Sequence, residues 1–108
     1  MTDKNAPLAR PAKPAVLTDY QPGAIVSRQL VTKKNGTVTV FAFDKGQMLS
    51  EHTSVYDALV QVLEGEAHIR VSGKDFAVKS GETLLMPAGE PHSLKAVKRF
   101  KMLLTLMR

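Results

Sequence analysis

From Ile25 onward the chain is a series of short runs in which apolar residues return at every second position. That period belongs to β-strands with one face buried, and it excludes a helical bundle. Ala67–Val71 shows it most cleanly: Ala67, Ile69 and Val71 fall on one face, His68 and Arg70 on the other. Thr37–Phe43 puts Val38, Val40 and Ala42 on one side and Phe41 and Phe43 on the other. Further runs span Ala58–Leu63, Asp75–Lys79, Thr83–Met86, Ser93–Val97 and Phe100–Leu106. Turn signals separate them, Glu64–Glu66 and Ser72–Lys74 among others, each with a central glycine. No segment carries a sustained 3.6-residue stripe. The pattern predicts an all-β domain: a small β-barrel or jelly roll of two antiparallel sheets.

A length of 108 residues suits one such domain, and 44% hydrophobic residues suffice for a core. Residues 1–20 read differently. Pro7, Pro11 and Pro14 deny this stretch a continuous helix or a central strand. We expect a flexible Pro/Ala/Lys-rich arm over 1–20, disordered or loosely docked, ahead of a barrel over 21–108. There is no cysteine, so disulfides and thiolate chemistry are excluded. No apolar run nears the roughly 20 residues a membrane helix needs. The N-terminus lacks the apolar core of a signal peptide, and a cytoplasmic location is expected. The net charge of +5 raises the question of nucleic acid. However, Lys95, Lys98, Arg99, Lys101 and Arg108 lie mostly between apolar residues, with Phe100 as their only aromatic neighbour. They read as a solvated strand face, and no nucleic-acid partner is expected. Exposed edge strands favour a homodimer, with the run Ala24–Val31 and the Pro-rich arm before it crossing onto the partner.

Two stretches carry the chemistry. In the first, Gly46 precedes His52 by six positions and Gly65 closes the segment. In the second, Gly81, Pro87, Gly89 and His92 follow one another at fixed spacing. Each places one histidine near a strand end, with glycines and proline holding the turns that aim it. There is no phosphate-binding loop, no dinucleotide-binding glycine pattern and no nucleophile elbow.

Together these stretches resemble the two signature motifs of the cupin family, G-x5-H-x-H-x3,4-E-x6-G and G-x5-P-x-G-x2-H-x3-N. Gly46, His52 and Gly65 meet the frame of the first; Gly81, Pro87, Gly89 and His92 meet the second. The resemblance covers about Ile25 to Leu106 and implies a cupin barrel. It also implies a metal site, because typical members bind Fe, Mn, Ni, Cu or Zn through three histidines and a glutamate. Here the second histidine position is Ser54, the glutamate position Ala58 and the final asparagine position Ala96. His52 and His92 are therefore the candidate ligands of a divalent transition metal, with water or a chelating substrate completing the shell. Met48 and Asp57 are the remaining candidates to complete that shell.

Strand alternation assigns the pocket around them. Met48, Ser50 and Ser54 share a face with His52; Ala58 shares one with Val60; Leu94 lies on the face of His92. Tyr56 and Gln61 are candidates for the mouth. His68 is expected on the surface. Two functions follow from the resemblance. One is metal-assisted chemistry on a small oxygen-chelating molecule, of the dioxygenase, isomerase or decarboxylase kind. The other is a non-catalytic pocket that binds or senses a small molecule.

Overall fold

The computed structural model describes residues 9–108. Nine strands follow in order: β1 (Ile25–Lys33), β2 (Gly36–Phe43), β3 (Met48–His52), β4 (Asp57–Glu64), β5 (Glu66–Val71), β6 (Lys74–Lys79), β7 (Thr83–Met86), β8 (His92–Lys95) and β9 (Phe100–Met107). A 3-10 turn, Pro14–Val16, precedes them, and the described residues form no α-helix. The strands make two antiparallel sheets. One has the order β1-β2-β9-β4-β7 and the other β3-β8-β5-β6. The β5–β6 hairpin turns on Ser72 and Gly73, with φ of 50° and 80°. Two positive φ values in a two-residue loop match the right-handed twist of the paired strands.

The inward faces of the two sheets meet in the core. From β4 come Ala58, Val60 and Val62; from β5, Ala67 and Ile69; from β9, Phe100 and Met102. Phe43 and Phe100 stack with centroids 4.5 Å apart and fill one end of the barrel. Beside them Gly65 makes the turn into β5 with φ 76°. A Cβ there would lie 2.4 Å from the carbonyl oxygen of Arg99. Gly46 has a similar φ of 86° but nothing within 4 Å of a built Cβ.

The five-stranded sheet is buried on its outer face as well. Val40 and Ala42 are fully buried yet stand outside the core cluster. The stretch of the expected N-terminal arm before residue 9 lies outside the described residues. After that the segment lies over the five-stranded sheet as a strap, its Pro14–Val16 turn packed against β4 and β9. The Ala15 carbonyl accepts a bond of 2.7 Å from Lys101 Nζ, and the Leu17 carbonyl one of 3.2 Å from Arg28. The Tyr20 hydroxyl donates to Glu64 at 2.7 Å. Arg99 and Lys101 both sit over the Tyr20 ring, 5.0 and 4.9 Å from its centroid. This corrects the reading of a solvated basic face. Lys101 is only 7% exposed, because the strap covers it and supplies the carbonyl and ring its ammonium needs. Arg99 is engaged too, bonding Asp44 at 2.8 Å, and this bond holds the Asp44 carboxyl below its ordinary range.

Both arrangements are testable. Gly65→Ala and Gly46→Ala carry the same backbone strain, about 1 kcal/mol or more. Only the first adds a backbone clash. Thermal melts are expected to place Gly65→Ala below Gly46→Ala by several degrees, at about 4–8 °C per kcal/mol for a domain of this size. The Tyr20 phenol titrates above its ordinary value. Burial is the main cause, followed by the bond to Glu64 and that carboxylate's charge, with Arg99 opposing. Its contribution to stability is complete below the unfolded value of about 10 and is lost as pH rises through the folded value. Above pH 10 the wild type is expected to lose stability faster than Tyr20→Phe, as read by denaturant midpoints.

Candidate functional site

Strand β3 contains one residue more than its partner requires. Leu49 pairs with Leu94 of β8 and His52 pairs with His92, so three steps along β3 match two along β8. Such a bulge reverses which side chains face inward. Leu49 and His52 therefore share the inner face, a pairing that strict alternation forbids. Met48 falls opposite Lys95 on the outer face and is 57% exposed. The expectation that Met48 and Ser50 line the pocket with His52 is corrected by this extra residue: neither lines it.

The bulge and the register bring the two histidines together. Their ring centroids are 4.3 Å apart, the planes inclined at 70°. His52 is exposed, whereas His92 is 4% exposed. Each ring is fixed by the backbone two residues before it. His52 Nδ1 lies 2.7 Å from the Ser50 carbonyl, and His92 Nδ1 lies 3.1 Å from the Glu90 carbonyl. A carbonyl oxygen can only accept, so Nδ1 carries the proton in both bonds. In the neutral rings the lone pair is then on Nε2, the form in which a histidine ligates a metal.

The loops that carry these rings are tied to each other. Gly89 donates its N–H to the Ser54 carbonyl at 2.8 Å, and Ala88 donates to Asp57 Oδ1 at 2.9 Å. Ser72 hydrogen-bonds Glu90 and takes a 2.9 Å bond from its own N–H to the Pro91 carbonyl. Asp57 and Glu90 are thus committed to holding the turn ahead of His92. Other carboxylates are similarly occupied. Glu82 accepts from the Lys79 N–H at 2.7 Å, and Glu66 pairs with His68 at 3.1 Å on the outer surface.

A cavity of about 280 Å³ opens beneath the histidines. Its polar lining is His52, His92, Thr53 and Ser54; Ser54 Oγ also accepts the Tyr56 N–H at 3.1 Å. Ala58 and Leu94 line it as well. Val60 lies on the inner face with Ala58 but packs wholly into the core. Tyr56 and Gln61 do not line it: Tyr56 lies under Arg108, 4.8 Å from ring to guanidinium, and Gln61 alternates outward between Val60 and Val62. Seven lining residues were not among the sequence candidates: Thr53 at the rim, and the walls Phe41, Leu49, Met86, Met102, Leu104 and Leu106. Three of them belong to β9, where Phe100, Met102, Leu104 and Leu106 alternate perfectly. That period was visible, but which of its members reach the pocket depends on register with β2 and β4.

The Cupin domain family model matches residues 39–106. The chain belongs to the cupin family. Solved structures agree. A conserved protein of unknown function from Streptococcus pyogenes is 37% identical over 93% of this chain and 88% of its own, with a TM-score of 0.87. A Cupin 2 conserved barrel domain protein from Leptotrichia buccalis is 45% identical over 87% of this cupin and 46% of its own length, with a TM-score of 0.84. A cupin superfamily protein from Desulfitobacterium hafniense is 29% identical over 96% and 95%, with a TM-score of 0.89. No curated protein matches the sequence.

The family's usual metal can be tested against the donors present. Two imidazoles at about 2.1 Å from one ion have ring centroids about 4.6 Å apart when they meet at a right angle and about 5.3 Å apart at the tetrahedral angle. The observed 4.3 Å is near the first and shorter than the second, so both rings holding one ion calls for a small opening of the pair. The rest of the usual shell is missing from this cupin. Among the described residues no three His, Cys, Asp or Glu side chains cluster to hold an ion. The donor set fits two positions and leaves the others to a ligand or water.

The ring assignment makes a direct prediction. Nitrogen-15 correlation spectra of the imidazoles above neutral pH are expected to show the Nδ1–H tautomer for both His52 and His92. An Nε2–H signal from either ring contradicts the hydrogen bonds described.

Proposed function

We propose that this cupin binds a small molecule in the barrel cavity, with His52 and His92 holding a divalent transition metal through their Nε2 atoms. The observation that carries this reading is the pair of backbone-locked rings, both with Nε2 uncommitted, at the mouth of a cavity. Bound there, a metal supplies Lewis acidity and open positions for a ligand with two oxygen donors. The protein's own part is to fix both rings at the mouth of an apolar cavity. Chemistry of the dioxygenase, isomerase or decarboxylase kind is compatible with such a site.

One observation favours a second reading, binding or sensing without turnover. Catalytic metal sites usually have three protein ligands. The cavity lining contains two histidines and no carboxylate, so it also lacks a general base other than the rings themselves.

Two experiments test the proposal. Elemental analysis of untagged protein, followed by calorimetric titration with Mn(II), Ni(II) and Zn(II), is expected to give one site per chain. His52→Ala and His92→Ala should each weaken it at least tenfold. Equal binding by wild type and the double variant removes the metal from the reading. The second experiment restores the vacated positions. Ser54 and Ala58 both line the cavity. In Ser54→His/Ala58→Glu two further ligands join the shell, so metal should raise the melting temperature well beyond its effect on wild type. A hundredfold excess over Kd corresponds to about 2.7 kcal/mol. Without metal the variant is expected to be less stable than wild type, because a buried carboxylate and added bulk cost roughly 1–3 kcal/mol.

A further inference from the structure

The walls of the cavity say more about its ligand than the histidines do. Apart from the polar rim of His52, His92, Thr53 and Ser54, every lining residue is apolar. None of the lining residues is Lys, Arg, Asp or Glu. Phe41, Leu49, Leu104 and Leu106 belong to the inner faces of their strands, yet none is fully buried. They line the cavity, and apolar surface left open inside a barrel is surface a ligand can cover. Met86 and Met102 stand with them, each at 2% exposure or less, and unbranched methionine adapts to ligands of differing shape.

Charge limits the ligand further. A dicarboxylate, sugar acid or phosphorylated compound needs a cation or several fixed donors at each polar end. Here donors exist at the mouth only. A second polar end carried into the depth of the cavity would meet leucine, methionine and phenylalanine and lose its hydration without replacement. Size gives the other limit. A volume of about 280 Å³, at the roughly 30 Å³ one water occupies in the liquid, holds about nine heavy atoms.

We infer that the ligand is a small amphiphile: one oxygen-bearing head at the histidine pair and a single uncharged aliphatic or aromatic tail of about six carbons. The polarity of the molecule runs along the barrel, head at His52 and His92, tail toward Met102. This rests on the proposed placement of the site at the two histidines, but not on the presence of a metal there.

The test uses two series on the full chain. In the first, the Ni(II)-loaded protein is titrated with straight-chain hydroxamic acids of two to ten carbons and with oxalate. In the second, the metal-free protein is titrated with straight-chain primary alcohols of the same lengths. Affinity is expected to rise about fourfold per added methylene, the factor that corresponds to burying one CH₂, and to level off near six to eight carbons. Leu104→Trp narrows the cavity and should move the levelling point to shorter chains. Met86→Ala widens it and should move the point to longer ones, so the test survives if either variant fails to fold. A rise in the alcohol series with no effect of metal keeps this inference and removes the metal from the function proposed above. Tight binding of the two-carbon hydroxamate with no dependence on chain length keeps the metal and overturns the amphiphile. Oxalate binding more tightly than the six-carbon hydroxamate overturns it also, as does a levelling point that neither variant moves.

Discussion

A β-strand sends successive side chains to opposite faces, and no rotamer can carry a side chain through the sheet. Where a strand must present an apolar residue to a core and, three positions later, a functional residue to the same side, alternation alone forbids it. The surplus residue in β3 resolves that conflict. It lets Leu49 pack beside Leu94 while His52 meets His92, and it turns Met48 outward. Everything at the mouth follows from that parity change. The ring pair and the polar rim of the cavity beneath it require His52 to face inward.

The loops and the strap apply the same economy of polar groups. Asp57, Glu90 and Ser72 look like surface residues, yet their bonds hold the turn that aims His92. On the far side of the five-stranded sheet, Lys101 sits buried between the Ala15 carbonyl and the Tyr20 ring. The strap is held by these polar contacts. One wall of the barrel is thus covered on both faces, with cavity-lining side chains inside and the strap outside. Such a wall has little freedom to rearrange, and adaptation falls to the methionines.

Much of this was legible in the sequence, and the reasons for the rest are physical. Alternation in Ala67–Val71 gave the faces of β5 correctly because its neighbours impose no irregularity. The Ser72–Gly73 turn and the frame of Gly81, Pro87, Gly89 and His92 were readable because backbone conformation restricts residue type there. The bulge was not readable. Nothing in Met48–His52 marks an extra residue, since a bulge of this kind needs no glycine. Lys101 was misread as solvated because its partners, Ala15 and Tyr20, lie more than eighty positions away. The cavity walls on β2 and β9 were missed for a related reason: register between strands distant in sequence is set by the whole sheet, not by either strand.

The order of the five-stranded sheet has a consequence for how the barrel is made. Strand β9 lies between β2 and β4, yet it follows every other strand in the chain. Until it is synthesised, β2 and β4 have no common partner, and the β1–β2 and β4–β7 pairs are separate pieces with bare hydrogen-bonding edges. Phe43 lacks the ring it stacks on, and the cavity lacks the wall made by Met102, Leu104 and Leu106. Assembly of this sheet therefore waits for its last strand. Through most of its synthesis the nascent chain carries exposed strand edges and apolar faces, the features that lead incomplete β-proteins to aggregate.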